Sequence, residues 1–213
     1  MKRLCIVGGR PDGSSKVVLD IALLNASVEV AGFFDDDRSL WGSTIEGIQV
    51  VGGVDLLAGD GYKKSCFALA FADPIQKEKV FEKLVSWGLE PLNLIHPSAV
   101  VARNTKVGRS VWMAANVAVN SGTTIGDGVV LNTGCTVDHD CVIESYANIS
   151  PGCHVSGRTR IGQYSFLGTG AVTIPDVTVG KRCIVGAGTV VLNNVPDSST
   201  IVGVPGRVIK KVS

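Results

Sequence analysis

Histidine is scarce in this chain of 213 residues, which contains three, and the six cysteines lack the spacing of a metal site. Because no two cysteines form a C-x-x-C pair, neither a zinc site nor a disulfide framework is expected. Aromatic residues make up only 6%, and no apolar run is long enough to span a bilayer. The net charge of +1 favours neither nucleic acid nor an anionic membrane as a partner. The first residues turn into a glycine loop rather than a secretory signal, so we expect a cytoplasmic protein.

What the chain does have is a six-residue repeat, which runs unbroken from Ile95 to Val190. The first position of the hexad is aliphatic or Met in fifteen of sixteen repeats, and the fifth is small or β-branched in all sixteen. Such a period is neither the 3.6 of a helix nor the 2.0 of a plain strand. It is typical of stacked parallel β-coils, so residues 93–213 are expected to form a closed prism.

The phase of the hexad predicts the geometry of each coil. Positions five, six, one and two alternate between inside and outside as a four-residue strand, and positions three and four form the corner. Ten hexads have a residue at position four that tolerates a left-handed corner: Asn104, Asn116, Gly122, Gly128, Gly134, Asp140, Gly152, Gly170, Asp176 and Gly188. Because the interior is packed, any active site is expected on the outer faces and corners. The cysteines fall on inward positions or apolar runs and are expected to be buried: Cys5, Cys66, Cys135, Cys141, Cys153 and Cys183.

Residues 1–92 alternate between apolar runs and helical patterns, which predicts a small parallel sheet of Rossmann type. Four strands and two helices are expected: strands at Leu4–Val7, Val28–Phe34, Cys66–Phe71 and Leu92–Ile95, and helices at Val17–Leu24 and Gln76–Trp87.

Two places in this first domain are candidates for binding. Ser14 and Ser15 follow a glycine loop, where they are expected to cap the first helix and to bond phosphate at its N-terminus. The loop is not G-x-G-x-x-G, and a simple capped turn explains it equally well. Asp35 and Asp36 end the second strand, where Rossmann-like folds bind ribose or base, although a solvated loop is the alternative.

His139 is the histidine most suited to catalysis. It occupies corner position three between Asp138 and Asp140, so the ring is exposed and a carboxylate can orient it and fix its tautomer. We predict a general base, worth about 10²–10⁴ in rate. His96, beside Pro97, is interpreted as structural, and His154 as a surface residue that could line a groove.

The prism resembles the left-handed β-helix of the hexapeptide acyltransferases. With the Rossmann-like front and the tail Ile201–Arg207, the chain is similar to bacterial nucleotide-amino-sugar N-acetyltransferases and their sialic acid O-acetyltransferase relatives. The resemblance implies direct transfer from acetyl-CoA to a nucleotide-linked amino sugar, such as a 4-amino-4,6-dideoxyhexose, for lipopolysaccharide or O-antigen synthesis. It also implies a homotrimer with active sites between subunits, and no metal.

The same resemblance assigns site residues. It implies His139 as the base with Asp140 orienting it, and Asn132 as a contact to the sugar. The residues implied to contact acetyl-CoA are Asn148, Thr169 and Ala187. The family usually has a second histidine where this chain has Asn148, whose amide can donate a hydrogen bond but cannot carry a proton.

Further positions follow from the same matching. Those implied to bind the nucleotide-sugar are Gly13, Ser14, Asp35, Asp36 and Ala72. Candidates for the CoA phosphates, with a solvated charge cluster as an equal alternative, are Lys181, Arg182, Arg207, Lys210 and Lys211.

Three other functions compete with this interpretation. A sugar O-acetyltransferase would keep the fold and change the acceptor. A zinc lyase or hydratase needs three converging histidines, which His96, His139 and His154 disfavour because their hexad phases differ. A non-catalytic scaffold would explain the hexads but neither the His139–Asp140 pair nor the Rossmann-like front.

Overall fold

The computed structural model describes residues 1–11 and 13–211, which divide into two units. The first unit is Met1–Leu94, and the second begins at Ile95. The boundary expected from the sequence, between residues 92 and 93, lies two residues earlier.

The described residues of the first unit form a six-stranded sheet, two α-helices and three short 3₁₀ helices (Arg38–Leu40, Val54–Ala58 and Asp60–Tyr62), which confirms the predicted Rossmann-like class. The strand order is β3-β4-β2-β1-β5-β6, and every neighbouring pair is parallel except the β3–β4 hairpin. The elements are β1 (Lys2–Val7), α1 (Ser14–Leu23), β2 (Val28–Phe34), β3 (Thr44–Ile45), β4 (Ile48–Gly52), β5 (Cys66–Leu69), α2 (Pro74–Ser86) and β6 (Glu90–Pro91). The central strand β1 is buried from Leu4 to Val7 because helix-bearing parallel sheets are covered on both faces.

Two predictions for this unit differ from the structure. The β3–β4 hairpin was not expected, because strands of two and five residues are too short to show a clear alternation. The predicted strand Leu92–Ile95 is confirmed only at Leu94–Ile95, which forms β7 and leads into the prism; the fourth parallel strand beside β5 is instead β6. The N–H of Leu92 still donates to the carbonyl of Phe67, so this residue belongs to the first sheet.

The second unit is a left-handed β-helix, as predicted. Its two-residue strands occupy hexad positions six and one, and are shorter than the predicted four residues because the flanking positions bend into the corners. They are β8 (Val100–Val101), β9 (Lys106–Val107), β10 (Trp112–Met113), β11 (Ala118–Val119), β12 (Thr124–Ile125), β13 (Val130–Leu131), β14 (Thr136–Val137), β15 (Val142–Ile143), β16 (Asn148–Ile149), β17 (His154–Val155), β18 (Arg160–Ile161), β19 (Phe166–Leu167), β20 (Val172–Thr173), β21 (Thr178–Val179), β22 (Ile184–Val185) and β23 (Val190–Val191).

Every third strand returns to the same parallel sheet, so each coil has three sides. Face 1 contains β7, β10, β13, β16, β19 and β22; face 2 contains β8, β11, β14, β17, β20 and β23; face 3 contains β9, β12, β15, β18 and β21. Each edge is named here for the two faces that it joins, in chain order: edge 1/2, edge 2/3 and edge 3/1. Strand partners are eighteen residues apart, so residues with that spacing stack in columns.

From Val111 onward, hexad positions one and five are buried in the interior, whereas Ile95 in the first hexad is 41% exposed; position four turns the corner. The backbone is left-handed at position four from Ser110 to Gly188, even where the residue is tyrosine or arginine: Tyr146, Arg158, Tyr164 and Arg182. All six cysteines are buried, as predicted, and burial raises the pKa of the Cys135 thiol to about 12.

The prism ends in a shortened coil and a hairpin. Val195 pairs with Val179 and Ile201 with Val185, a spacing of sixteen residues instead of eighteen. Strand β24 (Ser199–Val202) then continues face 1, and β25 (Arg207–Lys211) pairs with it in the antiparallel direction. The side chain of Lys211, one candidate for a CoA phosphate, lies outside the described residues.

Candidate active site

His139 and Asp140 form a contact pair on edge 2/3. The imidazole Nδ1 lies 2.8 Å from Asp140 Oδ2, and the two side chains are 46% and 61% exposed. Asp140 reaches this position because its backbone is left-handed, with φ +58°, which aspartate tolerates better than most residues. A carboxylate at Nδ1 assigns the ring proton to that nitrogen, which leaves the Nε2 lone pair free to accept a proton.

Two glycines keep space around this pair. A Cβ on Gly157 would lie 2.7 Å from His139 Nε2, and a Cβ on Gly122 would lie 2.2 Å from Asp140 Oδ1. These glycines stand one coil after His139 and one coil before Asp140. Neither glycine was expected at the site, although each lies eighteen residues from a member of the pair, the spacing at which residues stack.

Asp138 lies on the other side of the base and lines a groove. Its Oδ1 accepts hydrogen bonds from the amide of Asn120 and from the backbone N–H of His139, both at 2.8 Å. These bonds, the Asn120 bond first, hold the pKa of Asp138 below its usual range. The groove has a volume of about 330 Å³, and we name it the face 2 groove after the residues that line it: Ala118, Asn120, Thr136, Asp138, His154, Val155 and Ser156.

The residues implied to bind the sugar and acetyl-CoA lie on a different edge of the prism. Thr169 and Ala187 are exposed and stack eighteen residues apart on edge 1/2, where the N–H of Gly188 donates to the carbonyl of Thr169. Asn132 lies on the same edge in an earlier coil, directly after β13. Its Oδ1 accepts a hydrogen bond from the N–H of Thr133 at 2.8 Å. The structure therefore brings these three residues to one edge and places His139 on another.

Asn148 lies on face 1, between Val130 and Phe166 of the neighbouring strands. Its Oδ1 is buried and has no hydrogen-bond partner among the described residues. A buried amide oxygen without a hydrogen bond lowers the stability of the fold, because its desolvation is not compensated. The Asn148 amide is therefore suited to a ligand contact.

The basic candidates lie on two elements of the second unit. Lys181 and Arg182 are on edge 3/1, where the Arg182 guanidinium lies 5.6 Å from the ring centre of Tyr164. Arg207 and Lys210 are in β25 on face 1. The remaining histidine, His96, accepts a hydrogen bond at Nδ1 from the N–H of Ser98, which agrees with its structural interpretation.

In the first unit, the five predicted nucleotide-sugar residues line a single cleft of about 570 Å³: Gly13, Ser14, Asp35, Asp36 and Ala72. The cleft lies at the carboxyl ends of β1, β2 and β5, where parallel sheets bind ligands. Its volume is within the range of about 300–1,000 Å³ for small-molecule sites.

The start of α1 differs from the prediction. Ser14 and Ser15 were expected to cap the helix, but both lie inside it, and Gly13 is the N-cap residue. Ser15 Oγ donates to the carbonyl of Arg10 instead. No described side chain caps this end, so its N–H groups can meet an anion; Asp12 in the preceding loop lies outside the described residues.

The two aspartates at the end of β2 have different surroundings. Both oxygens of Asp35 accept backbone hydrogen bonds, from Gly9 at 2.7 Å and from Asp37 at 2.9 Å. Asp35 therefore fixes the glycine loop against the second strand. Asp36 is more exposed, and among the described residues it accepts a hydrogen bond at Oδ1 alone, from the N–H of Val54 at 2.8 Å.

Within residues 1–11 and 13–211, no three His, Cys, Asp or Glu side chains come together as a metal site. The three histidines thus do not form the triad that the zinc-lyase alternative requires. Over the same residues, no helix combines the length and the apolar character needed to cross a bilayer.

Comparison with known proteins matches both units. The PglD N-terminal domain family matches residues 3–84. Two repeat families, described as bacterial transferase hexapeptide (six repeats) and hexapeptide repeat of succinyl-transferase, match residues 158–193 and 105–139. GDP-perosamine N-acetyltransferase of Escherichia coli is 31% identical over 82% of this chain and 81% of its own length.

Solved structures match over the whole chain. A histidine-to-asparagine variant of perosamine N-acetyltransferase from Caulobacter crescentus, in complex with CoA and GDP-perosamine, has a TM-score of 0.90 and 34% identity over 99% of this chain and 98% of its own. The acetyltransferase domain of PglB from Neisseria gonorrhoeae, in complex with acetyl coenzyme A, has a TM-score of 0.87 and 32% identity over 98% and 99%. The chain belongs to the hexapeptide-repeat family of nucleotide-amino-sugar N-acetyltransferases.

Proposed function

We propose that the protein transfers the acetyl group of acetyl-CoA to the amine of a nucleotide-linked 4-amino-4,6-dideoxyhexose. The observation that carries this proposal is the similarity, over nearly the full chain, to perosamine N-acetyltransferase structures that hold CoA and GDP-perosamine. The cleft of the first unit supports this proposal, because the uncapped N-terminus of α1 and the glycine loop suit the phosphates of a nucleoside diphosphate.

His139 acts as the general base in this proposal. Its Nε2 accepts a proton from the acceptor amine as the nitrogen attacks the thioester carbonyl, and the C–S bond then breaks to release CoA as the protonated thiol. Asp140 accepts a hydrogen bond from the Nδ1–H of the ring. This bond stabilises the imidazolium and keeps the ring in place. No acyl-enzyme is needed, because the cysteines are buried.

The nucleotide site uses the two aspartates differently. Asp35 shapes the loop, since both of its oxygens already accept backbone hydrogen bonds. Asp36 Oδ2 accepts no hydrogen bond from the described residues and can meet the ligand; Asp36 lines the cleft with Gly13 and Ser14, while Ala72 borders it from the end of β5.

We also propose that the active enzyme is a homotrimer with sites shared between subunits. His139 is on edge 2/3, whereas Thr169 and Ala187 are on edge 1/2, so one prism does not bring them together. Edge 2/3 of one subunit facing edge 1/2 of the next would assemble a complete site, and threefold rotation closes the ring. The partly exposed apolar side chains Phe166 and Ile184 on face 1 support burial against another copy, beside the unpaired Asn148 oxygen.

The acetylated sugar would enter a bacterial surface glycan such as lipopolysaccharide O-antigen. This part of the proposal is supported by the Escherichia coli relative named putative lipopolysaccharide biosynthesis O-acetyl transferase WbbJ, which is 36% identical over 69 residues. Because acetyl-CoA is a charged metabolite of the cytoplasm, we place the reaction there.

The direct test measures CoA thiol release with acetyl-CoA and a panel of acceptors. The panel contains GDP-perosamine, UDP- and dTDP-linked 4-amino sugars, and free sialic acid as the hydroxyl acceptor. We expect turnover with an amino-sugar nucleotide and a loss of about 10²–10⁴ in kcat for His139→Asn. Acetylation of sialic acid alone would replace the proposal with the O-acetyltransferase alternative, and unchanged kcat in the folded His139→Asn variant would remove the base assignment.

A further inference from the structure

Corner position four on edge 2/3 carries a column of charged side chains that begins beside the base. Because strand partners are eighteen residues apart, Asp140, Arg158 and Asp176 stack in successive coils. All three have a left-handed backbone, with φ of +58°, +58° and +64°. Arg158 therefore lies between two carboxylates, and one of them, Asp140, contacts the His139 ring.

The Arg158 guanidinium is bound to the carboxylate on the side away from the base. Its Nε donates to Asp176 Oδ1 at 2.6 Å and its Nη2 donates to Oδ2 at 2.7 Å. Over the described residues it makes no hydrogen bond with Asp140. A pair of parallel bonds fixes the plane and the direction of a guanidinium. The hydrogen bonds from Arg158 also hold the pKa of Asp176 below its usual range.

The coil that carries Arg158 is in direct contact with the base. The N–H of Arg158 donates to the carbonyl of His139 at 2.9 Å. The imidazole extends toward the same coil, since a Cβ on Gly157 would lie 2.7 Å from Nε2. A released guanidinium here would repel the imidazolium and compete with it for Asp140. Both effects disfavour the protonated ring and so weaken the base.

Arg158 is the one permanent cation in this column among the residues that the structure describes. The corners of the column directly before and after His139 hold Ser121 and Gly157, which carry no charge. The other charged or titratable groups around this corner have partners of their own: Asp138 with Asn120, His154 with Thr136, and Arg160 with Glu144. The direction in which Arg158 points therefore depends on Asp176.

We propose that Asp176 is a positioning residue for the base. It holds the Arg158 guanidinium away from Asp140, which leaves that carboxylate to the Nδ1–H of His139, and it offsets the positive charge that Arg158 brings near the ring. This role requires no contact between Asp176 and either substrate. The inference rests on the proposed function, in which His139 is the base, and it adds the group that keeps this base strong.

Removing one member of the pair at a time should shift the titration of the ring in opposite directions. Asp176→Asn keeps a side chain that tolerates a left-handed backbone but leaves Arg158 uncompensated, so the His139 ring should lose its proton at lower pH. Arg158→Gln leaves the Asp176 carboxylate uncompensated, so the ring should lose its proton at higher pH. At low ionic strength each shift should be about 0.5–1 pH unit, and the double variant should return to the wild-type midpoint.

The experiment combines NMR titration of isotope-labelled histidine rings with steady-state turnover of acetyl-CoA and GDP-perosamine. The resonance that disappears in His139→Asn identifies the ring. Asp176→Asn should lower kcat about 5–10-fold with KM for both substrates unchanged, and adding Arg158→Gln should restore kcat. The matched control is Asp127→Asn, which releases Arg109 from an equivalent pair on edge 3/1 and should change neither the midpoint nor kcat.

An unchanged midpoint or an unchanged kcat in Asp176→Asn would overturn the inference. A loss that Arg158→Gln does not reverse would also overturn it, because the effect would then not pass through the guanidinium. If Asp176→Asn does not fold, the absence of a shift to higher pH in Arg158→Gln overturns it. Failure of the wild type to acetylate any amino-sugar nucleotide would instead contradict the proposed function, and the NMR titrations would still decide whether Asp176 acts on the ring.

Discussion

His139 can act as a base only while its ring keeps one orientation and the space beside Nε2 stays open. Asp140 provides the first condition through its contact with Nδ1. Gly157 provides the second, because any side chain there would occupy the position of the imidazole. The requirement for glycine at residue 157 is one of space, since its backbone is not left-handed.

Gly157→Ala should therefore affect catalysis far more than folding. The added Cβ would lie 2.7 Å from Nε2 and 2.9 Å from Cε1, so the ring must move away. We expect kcat to fall by about 10²-fold, the cost of displacing a reacting group by roughly 1 Å. Gly61→Ala is the control. The backbone at residue 61, like that at residue 157, is not left-handed, and a Cβ there would meet no atom within 4 Å. A Gly157→Ala variant with wild-type kcat would contradict the assigned ring position.

At the scale of elements, the coil is maintained by residues stacked in columns of eighteen-residue spacing. Corner position four has a left-handed backbone in successive coils, and the side chains above and below decide what each corner tolerates. On edge 3/1, Tyr146 and Tyr164 stack with their ring centres 6.0 Å apart, and Arg182 lies over Tyr164. This stack limits the movement available to its members.

Two corner glycines with the same backbone should respond differently to alanine. Gly134 and Gly128 have φ of +66° and +64°, so both alanine variants carry the left-handed strain of about 1–2 kcal/mol. A Cβ on Gly134 meets nothing within 4 Å, whereas one on Gly128 would lie 2.5 Å from the Tyr146 ring. Urea unfolding should show Gly128→Ala to be the less stable variant, and equal stabilities would mean that the tyrosine stack yields freely.

Helix α2 contributes a pH dependence to stability through Lys77. This side chain is fully buried, its Nζ has no partner among the described residues, and burial lowers its pKa to about 7 from 10.5. Between these values the unfolded chain binds a proton that the folded chain does not, so stability rises with pH from about 7 upward and is independent of this group below 7.

Lys77→Met should remove this dependence and raise stability at pH 7. The free energy of unfolding of wild type should increase relative to Lys77→Met by up to about 1.4 kcal/mol per pH unit between pH 7 and 9. Chemical denaturation of both proteins at several pH values measures the difference. A constant difference across this interval would show that Lys77 keeps its proton in the folded state.

How far the sequence predicts each element depends on its length and on its neighbours. The hexads predict the prism and the buried cysteines because each inside or outside position is repeated many times. Strands such as Thr44–Ile45 and Glu90–Pro91 have only two residues and leave no pattern. The role of Gly157 depends on the rotamer of His139 one coil away, and one of the two hydrogen bonds of the Asp35 carboxylate comes from Gly9, 26 residues away. These features arise from tertiary contacts, which a single sequence does not display.

At the scale of the whole molecule, the prism places the residues proposed for one reaction on different edges. The proposed base is on edge 2/3, and the proposed acetyl-CoA contacts Thr169 and Ala187 are on edge 1/2. Activity is therefore expected to be a property of the assembly and not of one subunit. Two variants that are each inactive should complement one another whenever their defects lie on opposite sides of a shared site.

Mixing His139→Asn with Ala187→Glu tests this central claim most directly. Ala187 is exposed, so glutamate there should block acetyl-CoA without disturbing the core. After co-expression or subunit exchange, random trimers should restore about one quarter of wild-type activity with GDP-perosamine, since one site in four receives both intact edges. Mixtures as inactive as either variant alone, despite proven subunit exchange, would contradict the shared site.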